Sequence, residues 1–190
     1  GSIEMEAVLF GRFNLITIGH MEYFKNVIKK YEKINIGITT SDSSTNIPKG
    51  FDEFYQMSDN QHKKNIFSVQ ERCMMLRASL ISNDLIDYAK IHIIKRPDYF
   101  IDEFNRRFPP EKYQLVLPRD KDINERLTFS KILMREIDVI DIRFETHISD
   151  VILNNNQLVE VQKATEKYLD KGCLEVFRSL DGLQRILSKL

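Results

Sequence analysis

Two cysteines, no surplus of either charge and no long apolar run mark this chain first by what it lacks. Cys73 and Cys173 stand far apart and without metal-ligand spacing, which excludes a thiolate metal centre. They read as ordinary reduced thiols of an intracellular, cytoplasmic protein. Lysine and arginine number 28 and aspartate and glutamate 28, so the net charge is zero. No basic balance therefore argues for a nucleic-acid partner, and no acidic tail is present. No apolar stretch is long enough to cross a membrane and no secretory leader is visible, so no membrane role is expected. Internal repeats and low-complexity tracts are absent as well. What remains is 190 residues, enough for one domain with a sizeable core and a short appendage. Residues 1–4 read as an expression remnant or frayed tail and are set aside.

The most informative stretch is 7–20. Val8, Leu9 and Phe10 form a continuous apolar run, as in a strand covered on both faces. A turn follows at Gly11, and from Met21 apolar residues recur at helical spacing: Met21, Phe24, Ile28, Tyr31. Gly19 and His20 thus fall at the amino-terminal end of a helix. A strand-to-helix junction aims free backbone N–H groups and the positive end of the helix dipole at whatever lies above it, which makes an anion site. Arg12 adds a fork of donors, Thr17 a hydroxyl, His20 an imidazole, and Gly19 room for close approach. The plainer alternative makes Gly11 a turn, Arg12 a surface charge and His20 a helix cap.

A second strand is expected at 34–40, giving a right-handed βαβ unit with parallel strands. Segment 41–65 is polar and reads as a long loop with an aromatic cluster (Phe51, Phe54, Tyr55) and a basic one (His62, Lys63, Lys64). Two readings stand: a lid over a second substrate, or a disordered surface insertion. Ser68 with Glu71 is a capping box opening a helix with Val69, Cys73, Leu76 and Leu80 on one face. Arg72 in that helix reads either as a phosphate ligand or, the preferred reading, as a surface charge. A third strand at 91–94 ends in Lys95 and Arg96, and Phe100, Phe104 and Phe108 stripe the next helix. A fourth strand at 113–117 is closed by Pro118. Arg119 and Lys121 stand at the following junction, as phosphate contacts or as a solvated turn, and Asp122 with Glu125 signals another helix start. That helix is expected to bury Ile123, Leu127, Met134 and Ile137, with a fifth strand at 139–144. Leu158, Val161, Thr165 and Tyr168 mark a helix stopped by Gly172. An amphipathic stripe from Leu174 to Leu190, kinked at Asp181-Gly182, is expected to pack back on the domain or, less plainly, to make an oligomer contact.

Gly11-Arg12-Phe13 followed by Thr17-Ile18-Gly19-His20 resembles the signature of the nucleotidylyltransferases with an H/T-x-G-H motif, and the G-R-F variant is most similar to nicotinamide-mononucleotide adenylyltransferases. Leu15 and Ile16 stand where the family often has proline. Asn65-Ile66-Phe67-Ser68 with Glu71-Arg72 resembles the family's N-P-F-S/T…E-R segment. Ile148 and Ser149 match the start of its second motif, I-S-x-T-x-x-R, whereas Val151 and Asn154 stand in place of its threonine and arginine. Arg119, Lys121, Lys95 or His147 are the candidate replacements for that arginine. The resemblance covers about residues 5–172.

The expected fold is α/β and Rossmann-like: a mostly parallel sheet of about five strands, order 3-2-1-4-5, helices on both faces and further C-terminal helices. The resemblance implies a domain at 5–172, with 173–190 packed on it. It implies transfer of a nucleoside monophosphate, AMP from ATP, to a phosphorylated acceptor such as nicotinamide mononucleotide, with pyrophosphate released and Mg²⁺ shielding the outer phosphates. His20, Thr17 and Arg12 are the catalytic candidates; Phe10, Gly11, Arg12, Phe13, Thr17, Gly19, His20, Arg119, Ile148 and Ser149 are the nucleotide-binding ones. The alternatives are a cytidylyltransferase acting on a small phosphorylated alcohol and a nucleotide-binding regulator that has lost catalysis.

Overall fold

The computed structural model describes residues 5–119, 123–144, 148, 150, 151 and 157–189. Strand β1 (Glu6–Gly11) runs through the middle of the sheet, and its alternation explains the two-sided core. Ala7 and Leu9 point into one apolar cluster and Val8 into another, all three essentially fully buried. β2 (Ile34–Thr39), β3 (Ala89–Ile94), β4 (Tyr113–Pro118) and β5 (Ile137–Ile140) complete a five-stranded sheet of order β3-β2-β1-β4-β5. Every pairing is parallel, with Val8 opposite Asn35 on one side and Leu115 on the other. This is the doubly wound arrangement and strand order expected from the sequence.

On the first face, α1 (Ile18–Tyr31) contributes Met21, Phe24 and Val27, and α3 (Val69–Ser82) contributes Met75, Leu76 and Leu80. On the second, α4 (Ile101–Arg107) and α5 (Ile123–Leu133) bring Phe104, Phe129 and Leu133 against Val8, Leu115 and Leu117. Each such side chain contributes about 1.5–3 kcal/mol by leaving water. The capping box at Ser68 and Glu71 opens α3 as the sequence signals.

Four local expectations are corrected. Segment 41–65 is not a continuous loop: α2 (Asp52–His62) occupies its second half, with Tyr55 buried and its hydroxyl donating to the carbonyl of Asp98 at 2.6 Å. In α5, Ile123, Leu127 and Met134 are exposed, and Phe129, Ile132 and Leu133 make the buried stripe. Helical spacing fits either set, and the aromatic contacts of Phe129 with Phe10 and Phe54 decide which face turns inward. Met134 then takes a left-handed turn (φ 53°), so β5 begins at Ile137, earlier than expected. Gly172 caps no helix end. The helix α6 (Leu158–Tyr168) closes at Leu169, and Asp170 caps the next one, α7 (Lys171–Ser179), by accepting from the N–H of Gly172 at 3.0 Å. A Cβ on Gly172 would lie 2.3 Å from the carbonyl oxygen of Ala78, so glycine is what lets α7 press on α3.

The C-terminal stripe breaks at Asp181 (φ 51°), giving α7 and α8 (Gly182–Lys189), with Phe177 and Ile186 buried in the first-face core. Arg185 grips both carboxylate oxygens of Glu71 and also donates to the carbonyl of Ile66. No helix among the described residues is long and apolar enough to cross a membrane.

Candidate active site

At the carboxyl end of β1 the chain passes Gly11 and loops through residues 12–16 into α1. Thr17 is the N-cap, and its partner at the third helical position is His20 rather than the usual acid. The Thr17 hydroxyl accepts from the His20 N–H at 3.3 Å, and the Thr17 N–H donates to Nδ1 of His20 at 2.9 Å. A backbone N–H can donate only to a bare ring nitrogen, so the neutral imidazole carries its proton on Nε2. Phe13, Phe24 and Phe144 surround the ring, with centroids 5.0–6.3 Å away. The backbone of Ile16 accepts from the N–H of Asp170 at 3.1 Å, tying the same loop to the α6–α7 junction.

The loop opens on a cleft of about 450 Å³, within the range of small-molecule sites. The lining includes Phe10, Gly11, Arg12, Phe13, Thr17, His20 and Ile148 among the expected nucleotide-contacting residues. Gly19 is not part of that lining. A Cβ there would lie 2.6 Å from Phe144, so its smallness serves packing. Arg119 also stands away, held on Asp141 at 2.7 Å. Lys95 faces Glu103 at 4.0 Å. Ser149, Lys121, Asp122, His147 and Asn154 lie outside the described residues.

Two guanidinium groups, those of Arg12 and Arg96, line the cleft, and a third, that of Arg72, is bonded to the backbone of Arg12. Arg12 donates to the carbonyl and side-chain oxygens of Gln61 at 2.7 and 3.2 Å, and burial holds its pKa below the ordinary value, with Asp150 opposing. Arg72 is not the surface charge preferred above. Only 2% exposed, it donates to the carbonyls of Phe67, Arg12 (2.5 Å) and Thr39 (3.2 Å), joining the ends of β1 and β2. Arg96 is fully buried, with donors on Asp98 and Asp59 at 3.1 Å and Ser58 at 2.5 Å. Burial and the charges of Arg96, Arg12 and Arg72 push His62 down to about 3, so it stays neutral between them. Its Nε2 lies 3.4 Å from the Thr39 hydroxyl, which donates to the carbonyl of Gly11.

Beyond His20 the cleft turns aromatic, with Phe10, Phe54 and Phe129 in edge-to-face contact and Met57 and Leu117 beside them. Sequence reasoning missed Asp98, Asp150 and Phe129 here. Phe129 could have been found as the one aromatic residue of its helix; Asp98 and Asp150 carry no local signal. Among the described residues no group of three His, Cys, Asp or Glu side chains could hold a metal ion.

Comparison with known proteins agrees with this architecture. The model of the cytidylyltransferase-like family matches residues 8–171. No curated protein sequence matches the chain. Two crystal structures of a bifunctional NMN adenylyltransferase/ADP ribose pyrophosphatase from Francisella tularensis are similar in fold. The one complexed with AMP and a manganese ion superposes with a TM-score of 0.57 at 14% identity, over 97% of this chain and 52% of that one. The other gives 0.62 at 14% identity, over 98% and 53%. This chain thus spans about half the length of those proteins.

Proposed function

Since the chain belongs to the cytidylyltransferase-like family, we propose that it is a nucleotidyltransferase moving a nucleoside monophosphate, AMP from ATP, to a phosphorylated acceptor. The observation that carries this reading is the Thr17–His20 capping box, which fixes an imidazole with Nε2–H at the edge of a cleft lined by arginine. An oxygen of the acceptor phosphate attacks the α-phosphorus in line, the bond to the bridging oxygen breaks, and the electron pair leaves with pyrophosphate. His20 donates to the α-phosphate as negative charge builds, without changing tautomer. Arg12 and Thr17 hold phosphate oxygens, and the start of α1 adds backbone donors. Holding the groups in line needs no covalent intermediate.

Mg²⁺, when bound, supplies charge neutralisation on the outer phosphates. The described residues offer no protein cage for it, which fits a cation held by phosphate oxygens and water. The manganese ion crystallised with the Francisella protein supports divalent-metal use.

The aromatic half of the cleft favours an acceptor with a flat ring, such as nicotinamide mononucleotide, over a small phosphorylated alcohol. Residues 5–172 form the catalytic domain in this reading, with 173–190 buttressing it from α3. The test is pyrophosphate release across the four nucleoside triphosphates, each with a panel of phosphorylated acceptors. Release with ATP and a ring-bearing acceptor is expected. Release only with CTP and a phosphorylated alcohol selects the cytidylyl reading, and nucleotide binding without any release selects a regulator.

A further inference from the structure

Asp150 lines the cleft beside Arg12, and its Oδ1 lies 3.5 Å from the ammonium of Lys64. Its charge is felt by the half-buried Arg12 guanidinium. Lys64 is positioned from the other side, since its carbonyl accepts from Nδ2 of Asn14 at 3.1 Å, two residues after Arg12 on the same loop. One carboxylate on the cleft therefore pairs with Lys64 and acts at longer range on Arg12, and the Asn14 contact ties Lys64 to the Arg12 loop.

Arg12 itself donates to the neutral oxygens of Gln61, partners that a charged phosphate oxygen outcompetes, whereas the other arginines of the site are held more firmly. Arg72 spends its donors on backbone carbonyls, and Arg96 is sealed against Asp98, whose side chain is 4% exposed. The Lys64–Asp150 pair differs: it is long, and its side chains are 31% and 51% exposed. Such a pair holds little net energy and exchanges readily. A carboxylate oxygen is also the same kind of acceptor for these donors as a phosphate oxygen.

We propose that Arg12 and Lys64 form a two-cation clamp for the outer phosphates of a nucleoside triphosphate, and that Asp150 is an internal placeholder anion which the polyphosphate displaces. Lys64 then supplies the charge that the altered second motif, with Asn154 in place of arginine, does not. The identity of the ligand rests on the nucleotidyl-transfer reading; the clamp itself rests on the geometry above.

The experiment is calorimetric binding to the full chain at low ionic strength, with inorganic tripolyphosphate, ATP and AMP as probes, with and without Mg²⁺. Lys64→Ala is expected to weaken tripolyphosphate and ATP roughly tenfold and to leave AMP unchanged, as loss of one charge a few ångströms from the ligand at partial exposure implies. Lys64→Arg restores most of the loss. Asp150→Asn is expected to tighten both polyphosphates by roughly three- to tenfold, because a competing charge is removed. Weaker binding to Asp150→Asn, with or without Mg²⁺, would make Asp150 a ligand-holding residue and overturn the placeholder. Unchanged affinities in Lys64→Ala would overturn the clamp, even in an enzyme that turns over. The expected shifts in a protein that releases pyrophosphate from no triphosphate would uphold the clamp and refute the transfer reading instead. Thermal unfolding of each variant confirms that it is folded.

Discussion

The backbone N–H of Thr17 donates to Nδ1 of His20 at 2.9 Å, and the Thr17 hydroxyl accepts from the His20 N–H in return. A helix cap and the choice of imidazole tautomer are thus one structural feature. Thr17→Ala keeps the backbone donor but removes the hydroxyl. It should cost about 1 kcal/mol of stability and lower kcat more than it raises KM. Thr17→Ser should restore both, as chemical denaturation and steady-state kinetics would show.

Arg72 bridges two strand ends by donating to the carbonyls of Arg12 and Thr39. Arg72→Met leaves those buried acceptors unpaired. Destabilisation of about 2–3 kcal/mol is expected, together with weaker triphosphate binding because Arg12 loses its fixed backbone. A denaturation midpoint and triphosphate affinity equal to the parent's would contradict this role.

His62 is held at about 3, far below the ordinary histidine value, by burial and by Arg96, Arg12 and Arg72. The unfolded chain therefore binds a proton that the folded chain refuses between pH ~6.5 and ~3. The resulting contribution to stability is complete above pH ~6.5 and is lost as pH falls toward 3. His62→Gln should flatten the decline of the denaturation midpoint between pH 7 and 5. An equally steep decline in the variant would assign the acid sensitivity to other groups.

Gly172 and Arg185 hold the C-terminal helices against α3. Gly172→Ala places a Cβ against the backbone of Ala78, which cannot give as a side-chain end could. A loss of about 1–3 kcal/mol is expected. Arg185→Ala removes the two-armed contact to Glu71, which lowers the Glu71 carboxyl to about 2. That contribution is present above pH ~4.3 and fades as pH falls toward 2. At neutral pH the variant should lose about 1 kcal/mol, with the difference from the parent shrinking in acid when thermal unfolding is followed.

Local patterns made much of the fold legible. The apolar run at 8–10, the helical spacing from Met21 and the capping box at Ser68 each depend on neighbours a few residues apart, and the structure has all three. The strand order matched the one expected from the Rossmann-like resemblance, since parallel units alone fix handedness and not order. The features that escaped depend on distant partners. Arg72 looks like any helix-surface arginine until the ends of β1 and β2 arrive beside it. Arg96 is buried because Ser58 and Asp59, on a helix hidden in a polar segment, come to meet it. The inward face of α5 was ambiguous by spacing alone, and Phe10 and Phe54 resolved it.

The central claim is that the imidazole fixed by Thr17 stabilises negative charge developing on the α-phosphate oxygens. Its most direct test is the single-turnover rate of pyrophosphate release by His20→Ala, with triphosphate and acceptor saturating. The account predicts a fall of about two orders of magnitude, with triphosphate affinity changed only a few-fold and the thermal unfolding curve close to the parent's. A variant that releases pyrophosphate at the parent's rate would contradict it.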